Sequence, residues 1–393
     1  MNGFLACPHG HGARRQFRLL LHPYSPPGAP RARGILEQEH SIKNVYAGFQ
    51  RRWHYGGFSI YRRGGFLLPS EPMGLSTGLQ SALRCPVCQS SLESAAGRLR
   101  CLGDHCTATF PVVGGIPILL NEERSIFSIE SLADQARSRG PDASPPAFSP
   151  RDVLKRLIPG LSLNVAGRDN FRTYTDLLLK SAASPRVLVV GGKNEGEGFD
   201  VLLSSAPPIE LAETDVVFGP RTMLICDSHD LPFQSGYFDG VVVQAVLEHV
   251  VDPFRCVEEI YRVLRPDGLV YAETPFIQQV HEGRFDFTRF THLGHRRLFR
   301  RFNEISSGAV CGTGMALAWT YRYFLLSLSD SPLLRNLLDT FARFTAFPLK
   351  WFDRYTSGRA GVFDAASAYY FLGTKSDSVL SDRELIKLYR GRI

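Results

Sequence analysis

Leu231-Pro232-Phe233, Phe238-Asp239-Gly240-Val241-Val242-Val243, Val246-Leu247-Glu248-His249-Val250 and Val263-Leu264-Arg265-Pro266-Asp267-Gly268 follow one another in a 393-residue chain. The second of these is a short, apolar run rich in valine, the pattern of a strand buried on both faces of a parallel sheet. Pro253 to Leu264 carries Phe254, Val257, Ile260, Tyr261 and Leu264 at helical spacing. A turn over Arg265 to Gly268 then leads to another apolar strand, Leu269-Val270-Tyr271-Ala272-Glu273-Thr274-Pro275. Alternation of strand and helix in this way predicts a doubly wound α/β sheet.

The same alternation extends toward the N-terminus. Arg186-Val187-Leu188-Val189-Val190 reads as a buried first strand, and Gly191-Gly192-Lys193-Asn194-Glu195-Gly196-Glu197-Gly198 follows it. Glycines at this density let backbone approach a ligand closely. Phe199 to Ser205 reads as a short helix, and Ile209 to Asp215 as a second strand ending in an acid. An acid at that place can accept hydrogen bonds from both hydroxyls of a ribose. Leu224-Ile225-Cys226-Asp227 completes the set.

Taken in order, these motifs resemble the type 11 family of class I methyltransferases, which use S-adenosylmethionine. The resemblance implies a Rossmann-like sheet over residues 181–320 and assigns the cofactor site. Gly191, Gly192 and Gly196 would hold the amino-acid part, Asp215 the ribose, and Asp227 with Ser228 the adenine. One position departs from the family. An acid usually stands on the first strand just before the loop, and here that residue is Val189. Glu195 and Glu197 are the loop carboxylates able to replace it.

The acceptor side is expected in the segment after the Leu269–Pro275 strand, because ligands bind at the carboxyl ends of parallel strands. His281, Asp286, Arg289 and His292 lie there among phenylalanines. Histidine is the side chain best suited to proton transfer near neutral pH, so His281 is the first candidate base and His292 the second, with Asp286 beside them. The opposing reading makes Asp286 and Arg289 a structural ion pair. Glu248 and His249 are read as opening a helix, where they orient backbone or do chemistry; the sequence leaves both open.

Cys85-Pro86-Val87-Cys88, Cys101 and Cys106 form a second constellation. Two cysteine pairs joined by a hairpin suit tetrahedral zinc, and four cysteine ligands make a closed, structural site. His105 is an alternative fourth ligand. Gly115-Ile116-Pro117-Ile118-Leu119 then resembles the end of the small zinc-ribbon activators of tRNA and protein methyltransferases, although the second pair has four intervening residues where two are usual.

Charge narrows the partners. The net charge is +7, and residues 1–80 hold ten Lys/Arg against Glu37, Glu39 and Glu71, which is the entire excess. The balanced remainder argues against a nucleic-acid substrate. The N-terminal segment lacks periodicity and is expected to be poorly ordered, with Met73 a second candidate start. No signal-peptide pattern and no uninterrupted span of membrane length is read. The scattered remaining cysteines fit a reducing compartment, so the expected placement is cytoplasmic, with peripheral membrane contact as a variant. Residues 81–121 are read as the ribbon, 122–180 as linker and helical segment, with helical spacing from 151 to 183, and 321–393 as a helical insertion plus final strand. Phe341, Phe344, Phe347, Trp351 and Phe352 are read first as a core-facing stripe over the acceptor pocket and otherwise as a membrane-surface element. The function expected is methyl transfer to a small molecule such as a sugar, a glycan-lipid or a quinone-like acceptor. The alternative is a non-catalytic, methyltransferase-like interaction module.

Overall fold

The computed structural model describes residues 74–139, 157–192 and 196–392. Most of the basic N-terminal segment, Leu154 and Glu195 therefore lie outside the described residues. In chain order the labelled elements are α1 (Thr77–Ala82), β1 (Leu92–Ala95), β2 (Arg98–Cys101), β3 (Thr109–Val113), β4 (Ile116–Leu119), α2 (Ile129–Arg139) and α3 (Gly167–Ser181). Next come β5 (Arg186–Val190), α4 (Phe199–Leu203), β6 (Glu210–Asp215), β7 (Leu224–Cys226), β8 (Phe238–Gln244), α5 (Pro253–Val263) and β9 (Leu264–Pro275). The chain continues through α6 (His292–Leu298), β10 (Phe302–Cys311), α7 (Thr313–Leu326), α8 (Pro332–Ala346) and β11 (Ala368–Lys375).

Seven strands lie in the order β7-β6-β5-β8-β9-β11-β10. The β5, β6, β7, β8 and β9 neighbours pair parallel, whereas β11 runs antiparallel between β9 and β10. This is the Rossmann-like class I methyltransferase sheet. Its hydrophobic strands follow from double coverage: Leu188, Val241, Val243 and Val270 face one cluster, and Val187, Val189, Val242 and Tyr271 face the other. Gly240 lets α3 approach closely, since a Cβ there would stand 2.3 Å from the Tyr174 hydroxyl.

Local chemistry sets α5. The Asp252 side chain accepts the Arg255 N–H and Pro253 opens the helix, a standard start. Its buried face is Pro253, Cys256, Val257, Ile260 and Val263. Phe254, expected inside, is exposed and lies under the Arg297 guanidinium. The expected turn at Arg265–Gly268 falls within the long β9, with Asp267 at φ 57°. Among the described residues of the 151–183 stretch, which begin at 157, helix starts at Gly167; residues 159–164 are irregular and tied to the insertion by Lys350, which donates to the Gly160 carbonyl.

Two regions differ from a simple string of domains. The cysteine unit adds itself to the sheet: β4 pairs parallel with β7 through Ile118↔Ile225 and Leu119↔Cys226, giving eleven strands in all among the described residues. The helical insertion begins at Thr313 rather than 321, and lies between β10 and β11. Buried Asp353 anchors it by accepting N–H bonds from Gly312, Gly314 and Met315. The core-facing reading of its aromatic stripe fails for four residues, because Phe341, Phe344, Trp351 and Phe352 are exposed. Only Phe347 packs inward, beside Leu161, Ala318 and Ala346.

Candidate functional site

An open cleft of about 530 Å³ lies over the carboxyl ends of β5, β6, β7 and β8. Gly191, Thr214, Asp215, Asp227, Ser228 and His249 line it, with Ile126 and Phe127 from the segment that leaves the ribbon. Gly191 takes φ +77°, and a Cβ there would come within 2.3 Å of the Val246 side chain, so the close turn needs glycine. The Thr214 carbonyl holds the turn by accepting both the Gly191 and Gly192 N–H groups. Gly192 lines a smaller adjoining recess of about 260 Å³ with Gln244. Gly196 stands against the Gln244 side chain.

Asp215 ends β6, and its Oδ1 accepts the Val217 N–H at 3.0 Å, which orients the carboxylate. Asp227 is engaged on both oxygens. Oδ2 accepts the Ser125 hydroxyl at 2.6 Å, and Oδ1 accepts the His229 backbone N–H and faces His229 Nδ1 at 2.5 Å. His229 Nε2 accepts the Asp252 N–H, which places the ring proton on Nδ1. Burial opposes its charge, but the His229 and Ser125 bonds hold Asp227 below the ordinary carboxylate range. The cleft thus gathers Gly191, Asp215, Asp227 and Ser228, while Gly192 lines the adjoining recess and Gly196 stands against Gln244.

Buried carboxylates near the departed position come from neighbouring strands. Val189 pairs in register with Glu213 of β6. Glu213 is buried against Gly192 and held bidentate by Arg221. Glu273, at the end of β9, receives hydrogen bonds from Gln244, Asn164 and Tyr271, and burial raises its pKa. Glu197 is exposed. The sequence signal for Glu273 was an acid closing an apolar strand; Glu213 had no signal beyond its register.

On the acceptor side, Asp286 binds Arg289 bidentate and accepts the His281 backbone N–H. Burial works against it, yet these partners lower the Asp286 pKa. His292 is buried beneath Phe363 and Tyr369, with Nε2 3.2 Å from the Ser307 hydroxyl, and does not line the cleft. Burial depresses it to about 4. His281 instead meets His249 of the cleft wall, Nε2 to Nε2 at 3.0 Å. Glu248 completes the group, with Oε1 3.6 Å from His249 Nε2 and 3.9 Å from His281 Nε2. Burial pushes Glu248 up to about 8 and, with the neighbouring His281, depresses His249 to about 4; burial also lowers His281. Glu248 and His249 lie in the turn before α5, not in a helix.

The four sulfurs of the cysteine unit lie within 4.8 Å of one another, with Cys85–Cys106 at 3.8 Å and Cys88–Cys101 at 3.4 Å. Four thiolates about 2.3 Å from one zinc stand about 3.8 Å apart, so the set fits one tetrahedral ion. His105 is exposed and outside the cluster.

The fold is that of a Rossmann-like class I methyltransferase sheet, with a cleft at the carboxyl ends of its parallel strands. In agreement, residues 203–272 match a methyltransferase domain family. The match begins beyond the glycine loop. A curated relative, demethylmenaquinone methyltransferase of Symbiobacterium thermophilum, is 29% identical over 121 residues, 30% of this chain and 45% of the relative. The chain thus spans less than half the length of that relative. Among solved structures, a SAM dependent methyltransferase from Archaeoglobus fulgidus aligns with 53% of this chain and 92% of its own, at 15% identity and TM-score 0.32. The Burkholderia thailandensis 1,6-didemethyltoxoflavin-N1-methyltransferase aligns with 73% and 99%, at 14% and 0.31.

Proposed function

We propose that this chain is an S-adenosylmethionine-dependent methyltransferase acting on a small-molecule acceptor. The observation that carries this reading is the cleft in which Gly191, Asp215, Asp227 and Ser228 converge above a sheet of the methyltransferase order. Gly191, Gly192 and Gly196 would take the amino-acid part of the cofactor, Asp215 the ribose, and Ser228 with the anchored Asp227 the adenine. Bound there, the cofactor supplies a sulfonium methyl group. The protein contributes position and a dry site. His281, joined to His249 at the cleft wall, handles the proton that an oxygen or nitrogen acceptor must lose. Asp286 fixes the segment bearing His281.

The acceptor class is a sugar, a glycan-lipid or a quinone-like molecule. The exposed Leu333, Leu337, Phe341, Phe344 and Phe352 favour a membrane-borne member of that set. Arg354 stacks on Trp351 beside them, a cation suited to lipid headgroups. Among the described residues no helix is long and apolar enough to cross a membrane, so the contact proposed is peripheral. The four cysteines hold a structural zinc that stiffens the ribbon against β7.

Calorimetric titration with S-adenosylmethionine tests the reading. Binding is expected, and Asp215→Ala weakens it. A folded chain that binds none at millimolar ligand sinks the enzyme in favour of a non-catalytic interaction module. Metal analysis is expected to return zinc on the ribbon, and a folded ribbon without metal refutes that assignment.

A further inference from the structure

The contacts around His249 and His281 set two ring nitrogens in conflict when both rings are neutral and carry their protons on Nδ1. His249 Nδ1 faces the Phe285 carbonyl at 2.8 Å, so it carries the proton and leaves Nε2 with its lone pair. His281 Nδ1 faces the Gln279 carbonyl at 3.2 Å and the Asp286 carboxylate at 3.4 Å, with the Arg289 guanidinium farther off at 3.5 Å. The nearer oxygens place its proton on Nδ1 too. Two nitrogen lone pairs then point at each other across 3.0 Å.

Glu248 sharpens the conflict. It is fully buried, and neither carboxylate oxygen has a hydrogen-bond partner among the described residues. A buried carboxylate without partners is costly. Its backbone is firmly placed, because the Glu248 carbonyl accepts the Phe287 and Thr288 N–H groups. The side chain is therefore aimed at the histidines by the same strand-to-loop contact that seats the acceptor segment.

We propose that Glu248, His249 and His281 bind a divalent transition-metal ion at the wall of the cleft. The donor atoms lie within 4.8 Å of one another. Ligands about 2.1 Å from one ion stand roughly 3.0 to 4.2 Å apart, depending on the angle between them, and the observed 3.0, 3.6 and 3.9 Å fall in that range. Two imidazoles and one carboxylate suit zinc, iron(II) or cobalt(II) rather than magnesium or calcium. The backbone carbonyls on both Nδ1 atoms are the outer partners that orient metal-bound histidines. Three protein ligands leave positions open, and His249 faces the cleft.

Metal binding here does not depend on S-adenosylmethionine. Its part in transfer rests on the methyltransferase reading. An acceptor hydroxyl coordinated at the open position loses its proton to solvent, because the ion stabilises the oxyanion. The oxygen then forms the new O–CH3 bond, and the S–CH3 bond breaks with its pair going to sulfur, leaving a neutral thioether. His281 is in this case a metal ligand rather than the base.

The test is a cobalt(II) titration of the full chain with its ribbon already loaded with zinc, followed by visible absorption and metal analysis. One further equivalent is expected, with ligand-field bands and no thiolate charge-transfer band. His281→Ala and Glu248→Gln should each weaken it at least about tenfold, while folding, followed by circular dichroism, persists in His281→Ala. Should Glu248→Gln fail to fold, His281→Ala carries the test alone. A folded chain that takes no cobalt beyond the ribbon, an added equivalent showing only thiolate bands, or unchanged affinity in His281→Ala overturns the proposal. Each is independent of whether S-adenosylmethionine binds.

Discussion

The two clusters able to hold a metal ion differ in nearly every respect. Cys85, Cys88, Cys101 and Cys106 come from one short hairpin unit, share one soft donor type and stand apart from the cleft lining. Glu248, His249 and His281 mix hard and borderline donors, come from two loops, and reach the cleft through His249. A four-sulfur set has no open coordination position, so it can only hold structure. A three-ligand set beside a substrate cleft can take part in chemistry. The same distinction separates what stabilises this protein from what would make it act.

The largest effect should come from breaking the closed cluster. If the proposed zinc is bound, Cys101→Ser or chelation should remove binding energy on the order of 10 kcal/mol from this small unit. Hydrogen exchange should show β1 to β3 opening while β5 and β8 stay protected; equal protection in both would erase the contrast. Next, His281→Ala should slow methyl transfer about 100- to 10,000-fold while S-adenosylmethionine affinity holds. A parallel loss of affinity would mean that the open cluster merely supports the cleft.

Buried His292 and His295 supply a smaller effect and a control. Burial holds them near 4 and 3, below the unfolded value of 6.5. Depressed histidines stabilise fully above the unfolded value, and that contribution is lost as pH falls through the folded values. Stability should therefore drop between pH 6.5 and 4 by roughly 3 kcal/mol for each ring. His295→Phe should flatten the denaturation profile across that window, and an unchanged profile would remove burial as the cause. Asp215→Ala should cost about 2 kcal/mol, roughly 30-fold, in cofactor affinity by calorimetry. Smallest of all, Phe341→Ser should weaken binding to anionic vesicles by about 1.5 kcal/mol in a flotation assay.

Much of the sheet was legible because buried parallel strands are written as apolar runs. Val241-Val242-Val243 and Leu188-Val189-Val190 leave little alternative, and Asp252-Pro253 announces α5. The cysteine spacing likewise announced a cluster, and the four sulfurs do converge. Less was legible at the cleft. Phe254 follows the apolar count of α5 yet faces solvent, since hydrophobicity alone does not say which side meets the sheet. The aromatic stripe of α8 misled for the same reason. Glu213 was invisible as Val189's neighbour, because strand register is a property of the pair.

The sequence by itself determined the order of strands and helices, the glycine at the tight turn and the four-thiol set. These are local: each follows from periodicity, backbone freedom or spacing within a short segment. Only the tertiary structure decided that β4 would extend the sheet beside β7, that Asp227 would be tied to Ser125 from the linker, and that His281 would meet Glu248 and His249. Those contacts join residues far apart in the chain. They depend on which edges and loops pack together once the core has formed, and no pattern within one segment carries that information.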